Sequence, residues 1–103
     1  MFRRAIFLVS WLFAFSQQSA FAGDPFAGKK IWGKHTCPMC HGIDGVPVIP
    51  GTPNFARGEG MIKPDSQLLL VVYSGAKLMP AWKGLLTRQE MINVVTYIRT
   101  LQK

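Results

Sequence analysis

Both cysteines of the chain lie in one pentapeptide, Cys37-Pro38-Met39-Cys40-His41, and this C-x-x-C-H pattern constrains the fold more than any other feature. On one helical turn, two thiols three positions apart can both form thioethers with the same porphyrin edge, and the histidine that follows is then directed toward the iron. The pattern therefore predicts one covalently bound haem c, attached through Cys37 and Cys40, with His41 as the first axial ligand.

Other uses of two closely spaced cysteines fit the sequence less well. A closed zinc site needs about four ligands, and only His35 and His41 remain as further strong candidates. A thioredoxin-like dithiol needs strands alternating with helices, and the chain has almost no strand periodicity. A disulfide between Cys37 and Cys40 would close a very short loop and contribute little stability. A thiol-disulfide oxidoreductase using these two cysteines is the alternative function from another class.

The first 22 residues have the pattern of a cleaved signal peptide. Arg3 and Arg4 form a basic region, an apolar stretch covers residues 5–15, and an A-x-A cleavage motif ends at Ala22. The apolar stretch is shorter than the roughly 20 residues that span a bilayer. We therefore expect export to the periplasm and cleavage before Gly23, with an uncleaved anchor helix as the alternative.

Cleavage would leave one small domain, residues 23–103. Domains of this size have marginal cores, and a buried haem would add apolar surface and a covalent link. Loss of Arg3 and Arg4 lowers the formal net charge from +7 to +5, which favours acidic redox partners. The basic residues are scattered, which argues against nucleic acid binding. Solubility would explain each single lysine equally well. The lysines expected around the haem are Lys29, Lys30, Lys34, Lys63, Lys77 and Lys83.

Two amphipathic helices are predicted at the ends of this domain. The first begins with Asp24 as N-cap and Pro25 in the first helical position, and the last begins with a capping box of Thr87 and Glu90. Because each has an apolar stripe, we expect the two helices to pack against each other. The stripes are Phe26, Ala27, Ile31 and Trp32 in the first helix, and Met91, Val94, Val95, Ile98 and Leu101 in the last.

The middle of the domain predicts one further helix after a long loop. Residues 42–60 are rich in glycine and contain Pro47, Pro50 and Pro53, so an irregular loop over one side of the haem is expected. The run 68–73 is continuously apolar and resembles a strand. We favour a helix because Asp65 can cap it and Gly75 can end it.

A methionine is expected as the second axial ligand, since a thioether favours ferrous iron and raises the redox potential. Met79 is the favoured candidate because it lies in a loop between two helices, directly before the rigid Pro80. Met61 also lies in a loop but has no such neighbour. Ligation by Met61 or by His35 remains the alternative.

These features resemble a class I monohaem cytochrome c of the small bacterial or c6-like type. The matching segments are Cys37-Pro38-Met39-Cys40-His41-Gly42, Met79-Pro80-Ala81-Trp82 and Tyr97-Ile98-Arg99-Thr100-Leu101. The resemblance covers nearly all of the mature chain. It implies an all-α fold of about three main helices wrapped around one covalently bound haem, with the first and last helices crossing near Gly28, Trp32 and Tyr97.

The resemblance also implies roles for two residues near the haem. The carbonyl of Pro50 is expected to accept the His41 Nδ1 proton, with Pro47 as its competitor, and Trp82 is expected to pack near the haem. From Gly28 through Trp32 to Cys37 the chain has one residue more than the family usually has, which predicts a bulge in the first helix or an early end at Gly33.

The function implied is a monomeric periplasmic electron carrier that cycles one haem c between ferric and ferrous states. Such a carrier has no catalytic residues and contacts membranes only through its partners or an uncleaved signal. Two other haem functions stay open. The first is a dedicated cytochrome subunit of a periplasmic dehydrogenase. The second is a five-coordinate haem sensor or peroxidase, which requires that Met79 not bind iron.

Overall fold

A computed structural model describes residues 22–103, so the predicted signal segment lies outside the described range except for Ala22. Within that range the chain forms four α-helices and one 3-10 helix. They are α1 (Pro25–Lys34), α2 (Cys37–His41), the 3-10 helix (Phe55–Arg57), α3 (Asp65–Ser74) and α4 (Arg88–Thr100). In the same range the only β pairing is two isolated bridges, Ala76 with Met79 and Lys83 with Leu86. The predicted all-α fold with three main helices is confirmed.

Helix α1 begins as predicted but ends later. The Asp24 side chain accepts hydrogen bonds from two backbone N–H groups of the first turn, at 2.9 and 3.2 Å, and Pro25 occupies the first helical position. The helix continues to Lys34, so the predicted early end at Gly33 is wrong.

One face of α1 is buried, and it is narrower than predicted. Ile31 and Trp32 belong to the core, where Trp32 is the most deeply buried residue at 2% exposure. Phe26 is 78% exposed, so its assignment to the apolar stripe is wrong. The buried residues of this helix are Gly28, Ile31 and Trp32. Phe26 lies two positions before Gly28, about 200° around the helix, and therefore faces away from α4.

Helix α4 follows the predicted pattern along its whole length. Thr87 Oγ1 accepts a hydrogen bond from the Glu90 N–H at 3.1 Å, and Glu90 Oε1 accepts one from the Thr87 N–H at 3.0 Å, which confirms the capping box. The predicted stripe is buried. The buried residues of this helix are Met91, Ile92, Asn93, Val94, Val95, Tyr97 and Ile98.

Helices α1 and α4 cross in close contact at Gly28. A Cβ atom at this position would overlap the Asn93 carbonyl and lie 2.8 Å from the Tyr97 Cβ, so only glycine permits the observed approach. One turn further along α1, the Trp32 ring meets the Tyr97 ring edge-on at 5.8 Å between centroids. The predicted crossing near Gly28, Trp32 and Tyr97 is confirmed.

The start of the domain is also attached to α4. The Asp24 N–H donates to Asn93 Oδ1 at 2.9 Å, and Gln89 Nε2 donates to the same oxygen at 3.0 Å. Gln89 Nε2 also donates to the Ala22 carbonyl at 3.2 Å. These bonds satisfy the amide oxygen of the buried Asn93.

Helix α3 has the predicted bounds but a different N-terminus. Pro64 occupies the N-cap position without a side-chain cap, and Asp65 is the first helical residue, so the prediction that Asp65 caps the helix is wrong. Its carboxylate instead pairs with the Arg99 guanidinium at 2.7 Å. Gly75 ends the helix as predicted, with a φ of 73° that favours glycine.

Arg99 links α4 to the segment that precedes α3. Its guanidinium donates to the Met61 carbonyl at 2.5 Å, to the Lys63 carbonyl at 2.7 Å and to Asp65 Oδ1 at 2.7 and 2.9 Å. Three points of the segment 61–65 are therefore held by one side chain.

Across residues 22–103, no helix combines the length and the apolar character that crossing a membrane requires.

Candidate haem site

The C-x-x-C-H motif forms a helix of its own. Helix α2 spans Cys37–His41, and Gly42 follows it directly. Both cysteines carry free thiols, with Cys37 partly buried and Cys40 exposed. The loop then folds back over the helix, since the Val48 N–H donates to the Cys40 carbonyl at 2.9 Å. Cys37, Cys40 and His41 thus lie on little more than one helical turn, as the attachment chemistry requires.

His41 lies between aromatic rings in a largely apolar pocket. The Phe55 ring is stacked on the imidazole at 4.9 Å between centroids with an interplanar angle of 16°, and the Trp32 ring lies at 5.6 Å and 42°. Burial lowers the pKa of His41. The neutral imidazole is thereby favoured, and this is the form that can donate a lone pair to a metal.

Two buried nitrogens of this pocket have no hydrogen-bond partner among the described residues. They are His41 Nδ1 and Trp32 Nε1. Neither Pro50 nor Pro47 accepts the His41 Nδ1 proton in this structure. Because unpaired buried N–H groups are rare in folded proteins, we expect each of these nitrogens to donate to an acceptor in the functional protein.

The Cys37 thiol is not activated for dithiol chemistry. Burial raises the pKa of the Cys37 thiol, and its backbone hydrogen bond offsets this only in part. Disulfide oxidoreductases require a lowered cysteine pKa to form the attacking thiolate. The described residues also form no group of three or more metal-binding side chains among His, Cys, Asp and Glu. The pocket therefore favours neither the oxidoreductase nor the zinc alternative.

Met79 lies in a tight turn after α3. The Ala76 N–H donates to the Met79 carbonyl at 3.1 Å, and the Met79 N–H donates to the Ala76 carbonyl at 2.9 Å. Lys77 within the turn has a φ of 53°. The Met79 side chain is partly buried against the core. Its backbone is therefore held in place by the turn itself.

Trp82 fastens the Met79 loop to α3. The indole is 8% exposed, and the Trp82 N–H donates to the Val72 carbonyl at 3.0 Å. The next residue repeats the attachment, since the Lys83 N–H donates to the Tyr73 carbonyl at 3.2 Å. His35 meets the Trp82 ring edge-on at 5.3 Å between centroids.

Met61, the alternative ligand, is also partly buried against the core. Its carbonyl is held by Arg99 from α4. Burial alone therefore does not separate Met61 from Met79. The two differ in their backbone, since Met79 lies in a turn closed by two hydrogen bonds of its own.

Phe55 is the site residue that the sequence did not reveal. It is buried in the 3-10 helix at the end of the long loop, which was expected to be irregular throughout. The only signal was an aromatic residue in a segment rich in glycine and proline. Its contact with His41 joins residues 14 positions apart across that loop, and no periodic pattern predicts such a contact.

The residues present fit a covalently bound haem. The two thiols and the His41 imidazole share one turn, which is the set of groups that attaches haem c and binds its iron, and Met79 supplies a partly buried thioether packed against the core. The loop after the motif adds four exposed apolar side chains. They are Ile43, Val46, Val48 and Ile49.

Comparison with known proteins identifies the family of the chain. A family model described as cytochrome c oxidase, cbb3-type, subunit III matches residues 23–98. Cytochrome c6 of Rippkaea orientalis is 33% identical over 98 residues, which cover 90% of this chain and 86% of the relative. The chain belongs to the cytochrome c family.

A solved structure supports the same assignment for this cytochrome. The KustC0563 c-type cytochrome superposes with a TM-score of 0.67 at 29% identity, covering 74% of this chain and 98% of that one. The resemblance to small class I cytochromes c is therefore confirmed. This cytochrome is an electron-transfer haem protein, and its family implies covalently bound haem c.

Proposed function

We propose that this cytochrome is a periplasmic carrier of single electrons rather than an enzyme, with one haem c ligated by His41 and Met79. The haem iron supplies the one-electron change between its ferric and ferrous states. The observation on which this proposal rests is helix α2, which places Cys37, Cys40 and a half-buried His41 on little more than one turn. The chain has one such motif, which supports one haem.

The protein's own task in this function is to keep both ligands still. Aromatic rings enclose the His41 imidazole, and a closed backbone turn holds Met79. Trp82 then connects that turn to α3 by packing and by its backbone hydrogen bond. Ligands held in this way move little when the iron changes charge, so little energy is needed for rearrangement during electron transfer.

The Nδ1 proton of His41 requires an acceptor once the haem is bound. A buried donor without a partner costs about 1–3 kcal/mol. The Pro50 carbonyl is the proposed acceptor, with Pro47 as its competitor. Pro53 joins them as a third candidate because it lies two residues before Phe55, whose ring contacts the imidazole.

Charge supports a partner with an acidic docking surface. The lysines named around the haem segments are exposed, among them Lys29, Lys30, Lys77 and Lys83.

We further propose that the signal peptide is removed before Gly23 and that the mature cytochrome is a monomer. A dedicated subunit of a periplasmic dehydrogenase would use the same haem site and is the second proposal.

The proposed function is tested on the exported protein purified from a host that attaches haem c. We expect acid-acetone to leave the red colour with the polypeptide, and the mass to equal residues 23–103 plus one haem. The ferric protein should show the weak absorption band near 695 nm that methionine bound to ferric haem iron produces. Free thiols without haem would contradict the proposal, as would an iron that lacks a sixth ligand.

A further inference from the structure

We propose that the groove between α3 and the start of α4 is a docking site for an acidic amphipathic helix of a partner protein. The residues that line this groove come from α3, from the segment 84–86 and from α4. None of them belongs to α2, to the loop 42–60 or to the turn that holds Met79. The proposal therefore does not depend on which residue binds the iron as sixth ligand.

The apolar run 68–73 of α3 is longer than the core of this domain requires. Val72 is the buried residue of the helix, and Leu68, one turn earlier on the same side, packs partly against the core. Leu70 and Tyr73, three positions apart, lie on another side and are 60% and 44% exposed. A helix that is apolar all round is normally buried, but α3 packs chiefly against α4 alone. Its second apolar side is therefore open to a partner.

The open side of α3 forms one wall of the groove. Leu69, Leu70 and Tyr73 line it from this helix, and the buried side chains of Leu86 and Met91 make its floor apolar. Its volume is about 360 Å³, which is near the lower end of the range of ligand sites in proteins. Because the wall is exposed, a small molecule would stay largely in water. A protein segment would cover the wall and also insert an apolar side chain into the groove.

The charge around the groove is positive. Arg88 lines it, and the Lys83 ammonium lies 5.9 Å from the centroid of the Tyr73 ring at its edge. Neither of these cations forms a salt bridge within residues 22–103. No acidic residue lines the groove. The acidic residues of the two helices, Asp65 and Glu90, are engaged in an ion pair and in the capping box. A carboxylate of a partner would therefore meet uncompensated positive charge.

Arg88 stands where the helix itself does not favour a cation. It is the first residue of α4, and the N-terminal turn of a helix carries partial positive charge that favours acidic side chains. The residue thus lowers the stability of α4, and a carboxylate bound from a partner explains why a cation is placed there. Arginine and tyrosine are also the residue types that often dominate the binding energy of protein interfaces. An acidic helix with an apolar side matches both the wall and the charge of the groove.

The test is an amide NMR titration of the ferrous, haem-loaded protein with two synthetic peptides. The first is an amphipathic helix with leucines along one side and glutamates along the other, and the second carries lysines in place of the glutamates. We expect only the glutamate peptide to bind the wild-type protein. Its binding should shift amide resonances of α3 and of the first turn of α4.

Charge reversal and loss of the apolar wall are tested by two variants at exposed positions. Leu70→Glu and Arg88→Glu should each weaken binding of the glutamate peptide by about tenfold or more. Arg88→Glu should also gain binding of the lysine peptide, because the charge of the groove is then reversed. Ile62→Glu and Arg57→Glu make the same changes at exposed positions outside the groove and should bind as the wild-type protein does. The thermal midpoint and the haem spectrum check that every variant is folded.

Four results would overturn the docking site. The first is a titration without shifts in α3, and the second is an equal loss of binding in Arg57→Glu and Arg88→Glu, which would show attraction by net charge alone. The third is dimerisation of the protein that Leu70→Glu abolishes, which would assign the groove to a second copy. The fourth is binding to phosphatidylglycerol vesicles that the same variant loses, which would assign it to a membrane surface.

These outcomes are separate from those of the proposed function. Each of the four results leaves the ligation of iron by His41 and Met79 untouched. An iron without a sixth ligand would contradict the proposed function and leave the peptide titration unchanged.

Discussion

The two proposed ligands, His41 and Met79, are held by different means. Two aromatic rings pack against His41, while the backbone around Met79 is closed by its own turn and fastened to α3 through Trp82. A Cβ at Gly75 would lie 2.7 Å from the Met79 carbonyl, so the turn also depends on that glycine. Single substitutions at each ligand should therefore separate ligation from folding.

Replacing Met79 with alanine tests the sixth ligand. Loss of the thioether that stabilises ferrous iron should lower the redox potential by about 0.1 V or more. Cyanide and carbon monoxide should also bind faster at the opened site. The fold should survive, because the thioethers and His41 still hold the haem. Spectroelectrochemical titration and stopped-flow binding measure the two effects.

Met61→Ala is the matched control for that experiment. Met61 is partly buried like Met79. Replacing it with alanine should leave the iron spectrum almost unchanged. Should the two variants exchange their behaviour, Met61 is the ligand. If neither variant alters the iron, another group fills the sixth position or the position is open, and simple electron carriage loses its main support.

At the level of helices, the crossing of α1 and α4 depends on one small residue. Gly28→Ala would place a methyl group against the Asn93 carbonyl. The two helices would then have to separate, and we expect the free energy of unfolding to fall by about 1–3 kcal/mol or more. Urea denaturation of the haem-loaded protein measures this loss.

Gly33→Ala is the control on the same helix. A Cβ at Gly33 would meet nothing within 4 Å. Since alanine is the better helix former by about 0.5–1 kcal/mol, this change should leave stability unchanged or raise it. Equal destabilisation by both substitutions would show that the close approach at Gly28 is not the cause.

The capping box of α4 should make stability depend on pH. Hydrogen bonds from Thr87, chiefly that of its backbone N–H, lower the pKa of Glu90 below its ordinary value. A lowered carboxyl pKa in the folded state contributes stability above the unfolded pKa, and this contribution is lost as the pH falls through the folded pKa. The free energy of unfolding of the Glu90→Gln variant should therefore fall less than that of the wild-type protein as the pH is lowered. Denaturant titrations at several acidic pH values measure the free energy of unfolding of both proteins. An identical dependence of this free energy on pH in the two proteins would contradict the assignment.

On the scale of the whole molecule, the net positive charge of the domain should govern how it meets partners. If Lys29, Lys30, Lys77 and Lys83 surround the exposed haem edge, electron transfer to an acidic partner should slow as salt rises above roughly 0.1 M, where the screening length is about 10 Å. Stopped-flow rates against ionic strength measure this. Rates independent of salt would indicate an apolar docking surface instead, with Pro80 and Trp82 as the first residues to substitute.

Local and periodic features of this cytochrome could be predicted from the sequence alone. The haem motif is contiguous, the caps at Asp24 and Thr87 act within one helical turn, and the stripe of α4 repeats with the helical period. Each depends on residues close together in the chain, so the residue types and their spacing suffice. The crossing of the first and last helices near Gly28 was predicted from the family resemblance and not from these local features.

Contacts between distant segments were decided only by the tertiary structure. Asp65 appeared to be a helix cap, but Arg99 from α4 binds its carboxylate. Phe26 was assigned to the apolar stripe of α1, yet it is 78% exposed. Phe55 reaches His41 only because the long loop folds back over α2. Such contacts depend on how loops and helices come together in space, and the residue pattern of one segment carries no information about the partner it will meet.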